Sequence, residues 1–136
     1  MGGRGGYSGT AEYKANEDFK RFSEPKTRAD YILRLEVLAE VGMPGYRTTS
    51  SVSDWENYGK SRTYLKINAY RESDGKFHHS QDYGYFDNQS GEYVRGRAGT
   101  NRLDYEHQYN ASGNRVITDD EIKKAIKSIN AKKFGL

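Results

Sequence analysis

Three histidines, His78, His79 and His107, are the residues in this 136-residue chain whose chemistry is easiest to name. An imidazole titrates near neutral pH, so it can move a proton, hold a metal or stay solvated. A metal ion needs several ligands converging on one point. His78 and His79 are neighbours in a stretch that alternates as a strand, so their side chains are expected on opposite faces, and at most one could join His107. The acids Asp82, Asp87 and Glu106 do not repair that geometry, and no metal site is expected. A metal-free nuclease needs a base, an acid and a cation at the phosphate. His78 or His79 with His107, and Arg95 or Arg97, supply those types, but no spacing specifies the arrangement. Solvated strand histidines are therefore the first reading, and a metal-free RNase the least favoured alternative.

Other catalytic patterns fail on spacing. "YGKS" (58–61) ends like a phosphate loop but lacks the first glycine and leads into a strand instead of a helix. No G-x-S-x-G elbow is present, and no carboxylate pair stands apart enough for glycoside chemistry. Without cysteine, neither a disulfide framework nor a thiolate zinc site can form. No catalytic residue and no cofactor is assigned, and an enzyme is disfavoured.

What must position the remaining side chains is one small domain. The chain is 34% apolar and 30% charged, and its twelve Tyr and five Phe supply faces that pack at the ring and stay wet at the tip. Its net charge is +3, with nine basic against seven acidic residues over 59–117, so the basic excess is small and slightly weighted to the second half. No run approaches the roughly twenty apolar residues that span a bilayer, and no signal peptide is read at the start.

Residues 1–24 show no sustained apolar period and read as a flexible arm, with a short helical piece around Glu17–Phe22. The packed domain is then expected over 25–136. From Thr27 a helix is predicted, because Thr27 and Asp30 have capping-box spacing and Tyr31, Ile32, Leu35, Leu38 and Ala39 share a broad face. A strand is the rival, since Tyr31, Leu33, Leu35 and Val37 also alternate.

The middle reads as β. "YRTTSSVSDWE" (46–56) is followed by a turn at "NYG" (57–59) and by "SRTYLKINAYRE" (61–72). In the latter, Leu65, Ile67 and Ala69 face the core while Tyr64, Lys66, Asn68 and Tyr70 share the other side. "SDG" (73–75) suits a type I′ hairpin, leading to "KFHHSQDYGYFD" (76–87), a turn at "NQSGE" and a short edge at "YV". Residues 95–115 read as a long surface loop. Thr118 and Glu121 then form a second capping box, and Ile122, Ala125, Ile126 and Ile129 the stripe of a C-terminal helix, stapled by Ile117. The fold class is α+β: a three- to four-stranded antiparallel sheet with an N-terminal and a C-terminal helix on one face.

Within "DYGYFDNQSGEY" (82–93), Gly84, Tyr85 and Phe86 resemble part of an RNA-recognition-motif strand, in which aromatics stack bases. The leading basic position holds Tyr83 instead, and the element order differs, so Tyr83 and Tyr85 are read as packing one sheet face and Phe86 the other. The element order resembles a double-stranded-RNA-binding domain, and "IKKAIKSI" (122–129) resembles the basic start of its last helix. Asp119, Asp120 and Glu121 stand where phosphates would bind, so that likeness is architectural only.

The opening "MGGRGGYSG" resembles the start of small proteins encoded by phages and mobile elements of Gram-positive bacteria. With the small size and absent catalytic set, that resemblance implies a non-enzymatic inhibitor of host defence, of the anti-CRISPR kind. Its partner would be a Cas nuclease complex or its guide RNA in the bacterial cytoplasm, with no membrane involved. The expected anchors are Trp55, Tyr58, Tyr85, Tyr93, Arg95, Arg97 and Arg102, because aromatics and Arg carry most interface energy. An RNA-binding module using the Tyr-rich sheet and Arg-rich loop is the alternative.

Overall fold

The computed structural model describes residues 2–96 and 117–136, with side chains from residue 10 onward. Its elements run α1 (Gly2–Ser23), α2 (Arg28–Val41), β1 (Tyr46–Asn57), β2 (Lys60–Arg71), β3 (Phe77–Asp87), β4 (Glu92–Arg95) and α3 (Asp119–Phe134). The strands form one antiparallel sheet in the order β1-β2-β3-β4. This is the expected α+β class, with a third helix at the start. The expected loop at 95–115 lies almost wholly outside the described residues; of it, Arg95 ends β4 and Gly96 follows.

That third helix corrects the reading of 1–24 as a flexible arm. Ala15, Asp18 and Phe22 of α1 are buried, and Phe19 packs against the same core. The stripe is narrow and interrupted by charge, so its period is faint, and tertiary packing instead of propensity stabilises the helix. Asp18 sits in the core stripe because its carboxylate is partnered: Asn130 Nδ2 donates to it at 3.2 Å, and Arg21 and Lys14 pair with it. The packed unit therefore begins within α1, ahead of residue 25.

Both capping boxes form. Thr27 Oγ1 accepts from Asp30 N and Thr118 Oγ1 from Glu121 N, while each acid reaches back to its cap. Ile117 and Ile122 are both fully buried, as a staple requires. The strand rival for α2 falls. Leu35, Val37, Leu38 and Ala39 are all buried because α1, α3 and the sheet each pack on this helix, which gives it a wide apolar face.

The sheet buries one face. Leu65, Ile67 and Ala69 point toward the helices, and their cross-strand partners on β1 are Val52, Ser50 and Thr48. Two register shifts reshape β3. Opposite Leu65 and Lys66 the extra residue is Tyr83, which turns into the core together with Phe86. Tyr85 stays outward opposite Tyr64, so the expected grouping of Tyr83 with Tyr85 is corrected. Gly84, with φ 99°, makes the shift possible, because a Cβ there would overlap the Val94 carbonyl oxygen.

The turns differ from expectation as well. At "SDG" only Gly75 has positive φ, and the loop closes by Gly75 N–H donating to Arg71 O at 2.7 Å, so this is a wider loop than type I′. The two-residue turn with both central residues at positive φ is Tyr58 (48°) and Gly59 (76°), between β1 and β2.

Candidate functional site

Because side chains alternate along a strand, whatever does not face the helices faces the other way. On β2 that outer set is Lys60, Arg62, Tyr64, Lys66, Asn68 and Tyr70. Their partners on β1 are Asn57, Trp55, Ser53, Ser51, Thr49 and Arg47. These twelve positions contain four cations, three aromatic rings, and hydroxyl and amide groups, without one carboxylate. The acids of β1, Asp54 and Glu56, fall on the opposite parity. Among the described elements α2 packs against β1 and β2, on their inner face.

Arg62 is the hub of an aromatic cluster near the hairpin end of this lane. Its guanidinium lies 4.4 Å from the Tyr85 ring centroid and 5.6 Å from that of Trp55, and Nη1 donates to Tyr64 Oη at 3.1 Å. That hydrogen bond raises the arginine's already high pKa, so the cation persists at every physiological pH. Tyr64 and Tyr85 pack at 5.3 Å between centroids. The cluster thus crosses three strands. A second one stands at the far end, where Arg47 lies 4.5 Å over Tyr70 and Tyr70 meets Phe77 edge-on at 5.8 Å. Eight residues separate Arg62 from Tyr70, about 26 Å at the rise of a strand.

The outer acids are confined to β3 and β4: Asp82, Asp87 and Glu92. Asp82 accepts from Gly84 N at 2.8 Å, and Asp87 accepts from Gln89 N and Ser90 N, which holds its carboxyl below the usual range. Asp87 is also the cross-strand partner of Arg62 and Asp82 that of Lys66, so these two cations have a carboxylate on their β3 side, while the row along β1 and β2 itself carries none.

The expected anchors divide. Trp55 and Tyr85 lie in the lane on either side of Arg62, and Tyr58 stands at its tip, 96% exposed. Tyr93 is a correction. It points inward, stacks on Tyr31 at 4.5 Å and 13° between planes, and donates its hydroxyl to the Tyr83 carbonyl. Burial raises its pKa strongly, as expected for a core tyrosine and not for an anchor. Arg95 is exposed on the inner parity of β4 opposite Gly84. Arg97 and Arg102 lie outside the described residues.

Arg62, Lys60, Lys66, Tyr64, Arg47 and Tyr70 were not among those anchors. Their signal was the same period-2 alternation that placed Leu65 and Ile67 inward; extending it two residues to Arg62 and across the turn to Trp55 identifies the cluster.

Two other polar groupings carry less. The second register shift makes His78 the extra residue, so both histidines lie on one side, against the Tyr46 ring, with their Nδ1 atoms 2.7 Å apart. This corrects their expected placement on opposite faces. His107 lies outside the described residues, and among the described residues no group of three His, Cys, Asp or Glu could hold a metal ion. A groove of about 290 Å³ between α2, α3 and β1 is lined by Glu36, Glu40, Lys132 and Lys133, which pair with one another at 2.9–3.0 Å.

No protein-family model, no curated protein and no solved structure matches this chain. The functional reading therefore rests on the outer lane alone. A row of cations on β1 and β2, bordered by the acids of β3, attracts phosphate on its β1 side and offers stacking surfaces at its aromatic ends.

Proposed function

We propose that this chain is a non-enzymatic binding protein that holds single-stranded RNA along the outer face of β1 and β2. The observation that carries this reading is the row along β1 and β2, with four cations and no carboxylate among its twelve positions, and Arg62 set between Trp55 and Tyr85. Lys60, Arg62, Lys66 and Arg47 meet the phosphates. Trp55, Tyr64 and Tyr85 supply ring faces to unpaired bases, which a duplex would keep in its own stack. The mobile-element inhibitor implied by the opening residues is one use of such a face, with the guide RNA of a Cas complex as the strand it occupies.

The test is a fluorescence-anisotropy titration with labelled oligouridine. Four phosphate-neutralising cations predict a slope of log K on log salt of up to about −3 for a single strand. Trp55→Ala and Arg62→Ala are each expected to weaken binding by about 5- to 100-fold. Absence of binding at about 50 mM salt, where such contacts are strongest, overturns the reading.

A further inference from the structure

The tip of the β1–β2 hairpin places an aromatic residue where the backbone least favours one. Tyr58 has φ 48°, the one positive φ among the described residues other than glycine. The first central position of this turn type suits Asn, Asp or Gly, and a bulky residue there is an outlier. Its ring gives nothing back to the fold, since Tyr58 is 96% exposed. Both the conformation and the exposure of a large ring therefore count against the residue if folding alone is considered.

The tip is nevertheless held. The Gln89 side chain donates to the Gly59 carbonyl, Asn88 N–H donates to Ser61 O at 3.0 Å, and Asn88 Nδ2 donates to Ser61 Oγ at 3.0 Å. The turn after β3 thus braces the turn after β1, and Asp87 in turn fixes the brace through Gln89 N and Ser90 N. An unfavourable backbone conformation persists where its surroundings over-determine it, and such positions cluster at ligand contacts. Tyr58 also stands at the end of the lane: it is in the turn that joins Asn57 to Lys60, the last outer-face pair of β1 and β2.

We infer that Tyr58 is a stacking residue that closes the RNA lane at its open end, taking an unpaired base beyond the one at Trp55. This rests on the reading of the outer face as an RNA site and adds a specific requirement for an unpaired base at the tip. A ring held out by a braced turn meets a base with little ordering cost, because the turn is already fixed in the free protein.

The experiment compares wild type, Tyr58→Asn, Tyr58→Phe and Trp55→Ala, using labelled oligouridine of about eight nucleotides, a size within the range one small sheet domain covers, and a duplex of the same length. Asn is the residue this turn position favours, so Tyr58→Asn is expected to raise the Tm by about 2–5 °C. The same variant is expected to bind the single strand about 5- to 100-fold more weakly, while Tyr58→Phe stays within about 2-fold. Stability and affinity moving in opposite directions is the signature of a contact residue. If Tyr58→Asn binds as wild type does while Trp55→Ala is weakened, the tip contact is wrong and the face reading stands. If Tyr58→Asn lowers both Tm and affinity, the ring has a folding role and the inference falls. Equal affinity for the duplex also removes it, and a wild type that binds no RNA at about 50 mM salt removes both readings.

Discussion

Along β2, Leu65, Ile67 and Ala69 are buried under the helices, while Arg62, Tyr64, Lys66, Asn68 and Tyr70 alternate with them on the other side and keep contact with solvent. The backbone is shared, so the two faces differ only in what their side chains must do. Inward residues are constrained by volume, since helices on one side and β3 on the other leave no slack. Outward residues are constrained by charge and ring geometry. Substitutions on the two faces should therefore separate stability from binding, and mixing of the two would show that the division is wrong.

The largest effect is expected where α1 packs on α2 and α3. Phe22→Ala deletes a fully buried ring that joins α1 to the core, and should cost about 3–5 kcal/mol in urea denaturation. A loss below about 0.5 kcal/mol, the size of an ordinary surface change, would restore the view of 1–24 as an arm. Trp55→Ala on the outer face should shift stability by no more than about 1 kcal/mol while carrying the binding loss given above.

Acid sensitivity tests the joint between α1 and α2 on the helical side. Burial pushes the Asp30 carboxyl up, but Arg21 at 2.7 Å and the N–H groups of Lys26 and Thr27 outweigh it and hold the group below its ordinary value. The folded state thus binds the Asp30 proton less readily than the unfolded chain. Its contribution is present above the unfolded pKa of about 3.8 and is lost as pH falls through the lower folded value. Asp30→Asn should therefore be less stable than wild type at neutral pH, with the difference shrinking below about pH 4 in thermal melts. A constant difference across that range would mean that Asp30 does not lock α1 to α2 through its charge.

The smallest effect is expected from Lys66→Gln, in the middle of the lane and away from both aromatic clusters. Removing one phosphate contact should reduce the salt slope by about 0.7 and leave the Tm where it is. An unchanged slope would move the strand's path off β2.

Much of the fold was legible because local rules agreed with tertiary ones. The capping boxes at Thr27 and Thr118, the alternation of β2 and the apolar stripe of α3 each follow from spacing. α1 was hidden because its buried stripe holds Asp18 beside Ala15 and Phe22, and a buried carboxylate is acceptable only once Asn130 and Arg21 are there to meet it. The candidate site was half legible. Trp55 and Tyr85 were expected as anchors by type and lie beside Arg62 on the outer face, whereas Tyr93 has the same type and points inward.

The amino-acid sequence alone determines the starts of α2 and α3, the hairpin order and the outward parity of Arg62, Tyr64 and Lys66, because those depend on contacts within a few residues or on a period of two. It does not determine that Tyr83 leaves the alternation and that His78 joins His79 on one side, since each follows from a register shift set by the neighbouring strand. Nor does it place Arg62 between Trp55 and Tyr85: those three residues lie on separate strands, and only sheet pairing brings a ring from β1 and a ring from β3 to the same cation.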